Sequence, residues 1–265
     1  MSKNLFPSPE PKMNPAILVA CLIAQTPVPA ATEAKAKSTS DLDVTFLPGA
    51  RVSTMKQLED SLTQTWSPAW KDKFTIRPAD GPRKWIKVKS CADIKGIDVK
   101  EADTRPATDW DFLVGRADWC RALEAIKGAK PAKRSFLAEA LAARDPAQFL
   151  PASVVDDING EAQVAGPEKP KSNPARSAIS WAQSDHGLKL AEDQTKDCIR
   201  LEGSGYLATV VYYATGDFNG DGIEDVLLQV TMRTFDASQG EGRYFVMTRT
   251  KPNGVLTVVE KLPQP

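Results

Sequence analysis

The chain has 265 residues, 42% of them apolar and 26% charged, which suffices for an ordinary core in one large domain or two small ones. Lysine plus arginine equals aspartate plus glutamate, at 34 each, so composition argues against non-specific binding of nucleic acid. Twenty prolines against sixteen glycines point to long irregular connections between elements.

The N-terminal stretch reads as an export signal. "AILVACLIA", Ala16 to Ala24, is an apolar run behind Lys3 and Lys12, and small residues suited to cleavage follow around Ala30 and Ala31. The run is too short to span a bilayer, and its order is that of a secretory signal over residues 1–31. Within it, "LVAC" resembles the lipobox of bacterial lipoproteins, which makes Cys21 a lipidation candidate and a lipid anchor the second possible fate. Both routes end in the periplasm or cell envelope. Residues 32–50 read as a flexible tether.

Residues 51–159 form a mixed α/β region. "TMKQLEDSLTQTW" has helical spacing, with Met55, Leu58 and Leu62 on one face and Thr54 and Gln57 placed for a capping box. "KFTIRP" and "KWIKVKSC" alternate and predict two short strands around an "ADGP" turn. "ADWCRALEAIKG" and "KRSFLAEALAARD" predict two amphipathic helices, ended by Gly128 and by Pro146, that form a hairpin through "AKPAK". The polar, proline-rich residues 160–177 predict a linker or long loop. From 178 to 265 the chain turns to β: "CIRLE", "YLATVVYYAT", "DVLLQVTMRT", "RYFVMTRT" and "GVLTVVEKL" predict an antiparallel meander. The fold class expected is therefore α+β, with a helical or mixed N-terminal part before a C-terminal sheet.

After processing, three cysteines remain. They allow one disulfide and leave one over, and sequence alone does not choose the pair. Cys91 and Cys120 are the preferred candidates, because they flank a loop of about thirty residues whose closure is worth roughly 3 kcal/mol. No CxxC or Cys/His cluster with zinc spacing is present.

The sharpest motif is "GDFNGDGIEDVLLQV", Gly216 to Val230. Counting from Asp217, oxygen-bearing side chains fall at positions 1 (Asp217), 3 (Asn219), 5 (Asp221) and 9 (Asp225). Gly222 stands at position 6, and Ile223, at 7, offers a carbonyl. Alternate side chains of a curled loop converge on one centre, and an irregular all-oxygen shell suits Ca2+. Position 12 is Leu228 rather than a bidentate glutamate, and a strand follows, so the loop departs from an EF-hand. The segment resembles the calcium loops of FG-GAP and VCBS repeats, with the pattern "GDxNGDGxxDL". That resemblance implies Asp217, Asn219, Asp221, the Ile223 carbonyl and Asp225 as ligands of an ion that fixes the turn before a strand. It covers about fifteen residues and occurs once, so no propeller is implied.

Catalytic signatures are sparse. His186 is the only histidine, and "SDH" gives triad residue types without triad geometry or a GxSxG elbow. Asp109 with Asp111, or Asp156 with Asp157, offer carboxylate pairs for an alternative reading as a hydrolase of envelope polysaccharide. The six tryptophans serve mainly the core, with one or two left to anchor a partner or glycan. Phe235, in a long hairpin loop, is a partner-binding candidate. The leading expectation is an exported, calcium-stabilised, non-enzymatic binding protein of the cell envelope. It has a protein partner, an inhibitor or immunity role against a cell-wall hydrolase being one form, and no nucleic-acid partner.

Overall fold

The computed structural model describes residues 43–66, 74–79, 84–105, 110–163, 174–192, 194–195, 198–237 and 240–262. Residues 1–31, expected to be an export signal, and Cys21 lie outside them. In chain order the elements are β1 (Thr45–Phe46), a 3-10 turn (Pro48–Ala50), α1 (Met55–Thr63), β2 (Phe74–Arg77), β3 (Ile86–Val88), α2 (Cys91–Ile94), β4 (Asp103–Arg105) and α3 (Trp110–Gly128). Then come α4 (Ala138–Ala142), a second 3-10 turn (Pro146–Gln148), α5 (Ser153–Gln163), α6 (Pro174–Ser177), α7 (Trp181–Ser184) and β5 (Lys189–Leu190). The chain finishes with β6 (Ile199–Gly203), β7 (Tyr206–Gly216), β8 (Asp225–Thr234), β9 (Glu241–Thr248) and β10 (Thr257–Lys261). The fold is α+β, and its centre is an antiparallel sheet of order β10-β9-β8-β7-β6-β5, with β1 beside β7.

Alternation along the long strands sends side chains to opposite faces and so creates two cores. Leu227, Tyr244 and Val246 join Leu58, Phe74, Ile76, Leu113, Leu123 and Ile126 on one face. Val226, Leu228, Val230, Phe245 and Met247 join Leu137, Leu150, Val154, Ile158 and Trp181 on the other. Each cluster draws on residues both before and after the 160–177 stretch. Part of that stretch is helical, since α5 reaches Gln163 and α6 covers Pro174–Ser177; residues 164–173 lie outside the described ones. Gly49 permits the close approach of the first 3-10 turn to β7, where a Cβ would stand 2.4 Å from the Tyr212 carbonyl.

Local expectations fare unevenly. The long C-terminal strands occur where alternation places them, although β7 carries a bulge between Tyr212 and Ala214. In α1 the Thr54 hydroxyl accepts from the Gln57 amide at 3.2 Å, but Gln57 Oε1 turns to the Ser53 amide at 2.8 Å. Leu58 and Leu62 are buried, whereas Met55 is 41% exposed and does not share their burial. The predicted helical hairpin does not form. The first helix begins at Trp110 rather than Ala117, because Leu113, Ala117, Cys120, Leu123 and Ile126 make one apolar stripe. The second shrinks to α4, because residues 130–134 spend their backbone groups on the acidic loop described below.

The Cys91–Cys120 disulfide is present, with Cα atoms 5.4 Å apart, and ties α2 to α3. The expectation of a leftover thiol needs correction: Cys198 is buried and is not free. Buried Arg249, just past β9, holds the start of the second core to the sheet. It donates to the Phe136 carbonyl at 3.1 Å and pairs with Glu139 at 2.8 Å, and its guanidinium lies 5.1 Å from the Phe149 ring.

Replacing both Cys91 and Cys120 by serine is expected to lower unfolding stability by about 3 kcal/mol, read from urea midpoints. Arg249→Met is expected to cost about 2 kcal/mol through the lost contact to the Phe136 carbonyl, with Arg249→Lys recovering only part, because an ammonium has no planar fork. Equal melting curves for wild type and Arg249→Met would show that the buried guanidinium contributes nothing net.

Candidate metal centre

The acidic loop links β7 to β8 at one end of the sheet. Its backbone is paired with the segment leaving α3. The Lys130 amide donates to the Asp217 carbonyl at 2.9 Å, and the Asp217 amide returns a bond to the Lys130 carbonyl at 2.8 Å. Lys133 and Arg134 amides donate to the Gly222 carbonyl, and the Glu224 amide donates to the Arg134 carbonyl at 2.7 Å. Gly220 and Gly222, with φ of 84° and 80°, take the left-handed conformation that the curl requires.

Inside the loop, carboxylates and the Asn219 amide oxygen accept from loop N–H groups, as such residues do in tight turns. Asp217 Oδ1 accepts from Gly220 at 2.6 Å and its Oδ2 from Gly222 at 2.9 Å. Asn219 Oδ1 accepts from the Asp221 amide at 2.9 Å, and Asp221 Oδ1 from Ile223 at 2.7 Å. Asp217 and Asp225 are buried, while Asn219 and Asp221 are exposed. Among the described residues, no three histidine, cysteine, aspartate or glutamate side chains stand close enough together to hold a metal ion as they are arranged.

Asp225 is the unusual member. It is fully buried, its Oδ2 accepts from the Phe218 amide at 3.1 Å, and its Oδ1 has no well-formed hydrogen bond. Burial pushes its carboxyl up to about 6; Thr248 and the Phe218 amide pull it down, and Asp221 and Asp217 push it further up. Thr248 sits directly across from it on β9. Lys130, Lys133 and Arg134 run along the loop as backbone partners, yet none makes an ion pair with it among the described residues. The donor set of three carboxylates, an amide oxygen and a main-chain carbonyl has the chemistry a hard cation takes.

The other sequence candidates are dispersed. Asp111 lies in the first turn of α3, and Asp109 lies outside the described residues. Asp156 pairs with Arg176 at 2.7 Å, and Asp157 pairs with Lys261, so the two carboxylates serve separate ion pairs. In "SDH", Asp185 accepts from the Tyr206 hydroxyl at 2.6 Å, and Tyr206 in turn accepts from the Trp181 indole at 3.0 Å, while His186 is exposed. Phe235, on the β8–β9 hairpin, is 53% exposed. Trp181 belongs to the core, whereas Trp110 is 36% exposed.

Sequence reading missed Asp118. The charge of this α3 side chain pushes up the Tyr213 and Tyr244 hydroxyls, chiefly raised by their own burial, and those two hydroxyls stand 3.0 Å apart on the sheet. Burial pushes its carboxyl up to about 6, against Lys100 and Arg121, which pull it down. Its only sequence signal is an acid within an otherwise apolar helix face.

The chain matches no family model, no curated protein and no solved structure.

Because the folded state holds the Asp118 proton more tightly than the unfolded chain, stability from it is full below pH 3.8 and is lost as pH rises through about 6. Asp118→Asn is therefore expected to gain about 2 to 3 kcal/mol on wild type between pH 4 and pH 7, measured by chemical denaturation. A constant difference across that range would mean that Asp118 ionises as an ordinary carboxylate.

Proposed function

We propose that this is an exported, non-enzymatic binding protein of the cell envelope whose Asp217–Asp225 loop takes up Ca2+ to fasten its sheet. The observation that carries the calcium reading is Asp225, a fully buried carboxylate with one oxygen lacking a well-formed hydrogen bond, at the end of a loop that also carries Asp217 and Asp221. A cation among them would offset the burial, and the lesser repulsion from Asp221 and Asp217, that push the Asp225 carboxyl up. Asp217 and Asp225 would form the buried base of the site, and the exposed Asn219 and Asp221 would turn in to complete it. The ion would supply charge neutralisation and no chemistry of its own.

The partner-binding part of the proposal is supported by exposed apolar side chains, chiefly Phe235 where β8 enters its hairpin loop. A protein partner that accepts an aromatic side chain in a cleft, such as a cell-wall hydrolase held inhibited, fits that presentation. The export signal expected in residues 1–31 would put the encounter outside the cytoplasm, where millimolar calcium sites are the common kind.

Calorimetric titration tests the ion directly. Calcium is expected to bind with Kd on the order of 0.1–1 mM. At about 10 mM it should add about 1.5 to 2.5 kcal/mol of stability, which raises the melting temperature by a few degrees. Asp221→Ala should abolish both the heat and the shift, with the apo protein losing no more than about 1 kcal/mol for the Ile223 amide's bond to Asp221 Oδ1. Absence of any heat or shift in the wild type at that concentration would remove calcium and leave an amide-bonded turn.

A further inference from the structure

The small sheet of order β3-β2-β4 has one face in the core and one face outward. Phe74 and Ile76 point inward, and Phe74 stacks on Phe112 with ring centres 5.0 Å apart. By alternation, Thr75 and Arg77 face out. Their cross-strand neighbours are Lys87 and Arg105 for Thr75, and Asp103 for Arg77. Trp85, just before β3, completes this outer face.

Three features make this face more than a charged surface. First, the Arg105 guanidinium stacks 4.0 Å over the Trp85 ring, and Arg77 lies 5.3 Å from the same ring. Second, Arg77 donates from Nε to Asp103 at 2.8 Å and forms an ion pair with it, whereas Arg105 has no acidic partner among the described residues. Third, Arg77, Trp85, Asp103, Thr104, Arg105 and Trp110 line one open depression of about 430 Å3, and Trp110 on its rim is 36% exposed. That volume lies within the range of small-ligand sites, roughly 300–1,000 Å3.

A guanidinium held over an indole keeps its N–H groups available for a further partner. The fork matches the two oxygens of a carboxylate, and the stacking limits the side-chain entropy lost on binding. Beside it the partly exposed indole of Trp110 offers a flat apolar surface, and Asp103, across from outward-facing Arg77, offers a carboxylate acceptor for hydroxyl groups. Asp103 would repel a phosphate dianion or a polyanion near Arg105, but it would accept hydrogen bonds from a polyol. One cationic fork, one aromatic plate and a hydroxyl acceptor together fit a sugar ring that carries a carboxylate.

We propose that the Trp85–Arg105–Trp110 depression binds an acidic saccharide, with the sugar carboxylate on Arg105 and the ring on Trp110. This deepens the envelope-binding role proposed above by naming a ligand class, and it uses residues separate from the calcium loop. Two macromolecular alternatives, an acidic peptide and a phosphorylated polymer, are decided by the same experiment.

The test is a calorimetric and saturation-transfer NMR titration of the full mature chain with glucuronic acid and with N-acetylmuramic acid. Glucose, acetate, inorganic phosphate and a glutamate-rich pentapeptide serve as comparisons. The expected result is that both acidic sugars bind roughly tenfold tighter than glucose or acetate. Arg105→Gln should weaken acidic-sugar binding roughly tenfold, and Arg105→Lys should recover only part of it, since the charge returns without the fork. Trp110→Ala should weaken acidic sugar and glucose alike, by roughly fivefold. Asp221→Ala should bind the sugars as wild type does, so a failed calcium reading and a failed sugar reading stay distinguishable. Unchanged melting of the Arg105 variants would show that they fold. Equal affinity for glucose and glucuronic acid, insensitivity to Arg105→Gln, preference for the peptide or phosphate, or no sugar binding at all would each overturn the assignment.

Discussion

Five backbone hydrogen bonds between residues 130–134 and the loop from Asp217 to Glu224 hold the chain where it passes around the end of the sheet. Upstream of that point α3 packs on one face; downstream, Leu137 already belongs to the core of the other. A sheet covered on both faces needs such a passage, and the passage needs partners for its own amides and carbonyls. The acidic loop supplies them. This single constraint explains why the expected second helix shortens to α4, why two glycines of the loop take positive φ, and why Asp217 is buried.

The same arrangement concentrates charge in places that water does not reach. Asp225 closes the loop onto β8 at full burial, Asp118 lies between α3 and the sheet, and Arg249 binds the first turn of the second core. Arg249 is offset by a carboxylate and a carbonyl. Asp118 has Lys100 and Arg121 to oppose its burial. Asp225 has the Phe218 amide and Thr248 to oppose its burial but no cationic side chain among the described residues, and two further carboxylates of the loop add to its cost, which motivates the proposed cation. Buried ionised groups without compensation are costly, and a carboxyl in that position raises its pKa or recruits a cation.

Much of the fold was legible from the sequence, and the reasons are particular. "DVLLQVTMRT" coincides with β8 because alternation with β-branched residues has one periodic solution on a sheet. Cys91 and Cys120 pair as expected because α2 and α3 bring them together. The loop's Asx residues were legible as a curl before a strand, since glycine and aspartate report backbone conformation locally. The start of α3 was less so: its stripe of Leu113, Ala117 and Cys120 is interrupted by Gly115, Arg116 and Asp118, which blur the helical period. The outward face of β2, β3 and β4 was invisible, because Trp85, Arg77 and Arg105 are far apart in the chain and meet only across strands.

The sequence by itself determined the period of each long strand, the curl of the acidic loop and the oxygen-rich character of its side chains. These follow from local backbone preference and from side-chain chemistry within a few residues. Tertiary structure alone decided that both sheet faces are covered, that residues 130–134 run beside the loop instead of forming a helix, that Asp225 is buried and that Asp118 is largely so. It also decided which tryptophans are core and which remain at the surface. Burial and cross-strand pairing depend on contacts between distant segments, and no local pattern encodes a neighbour that arrives a hundred residues later.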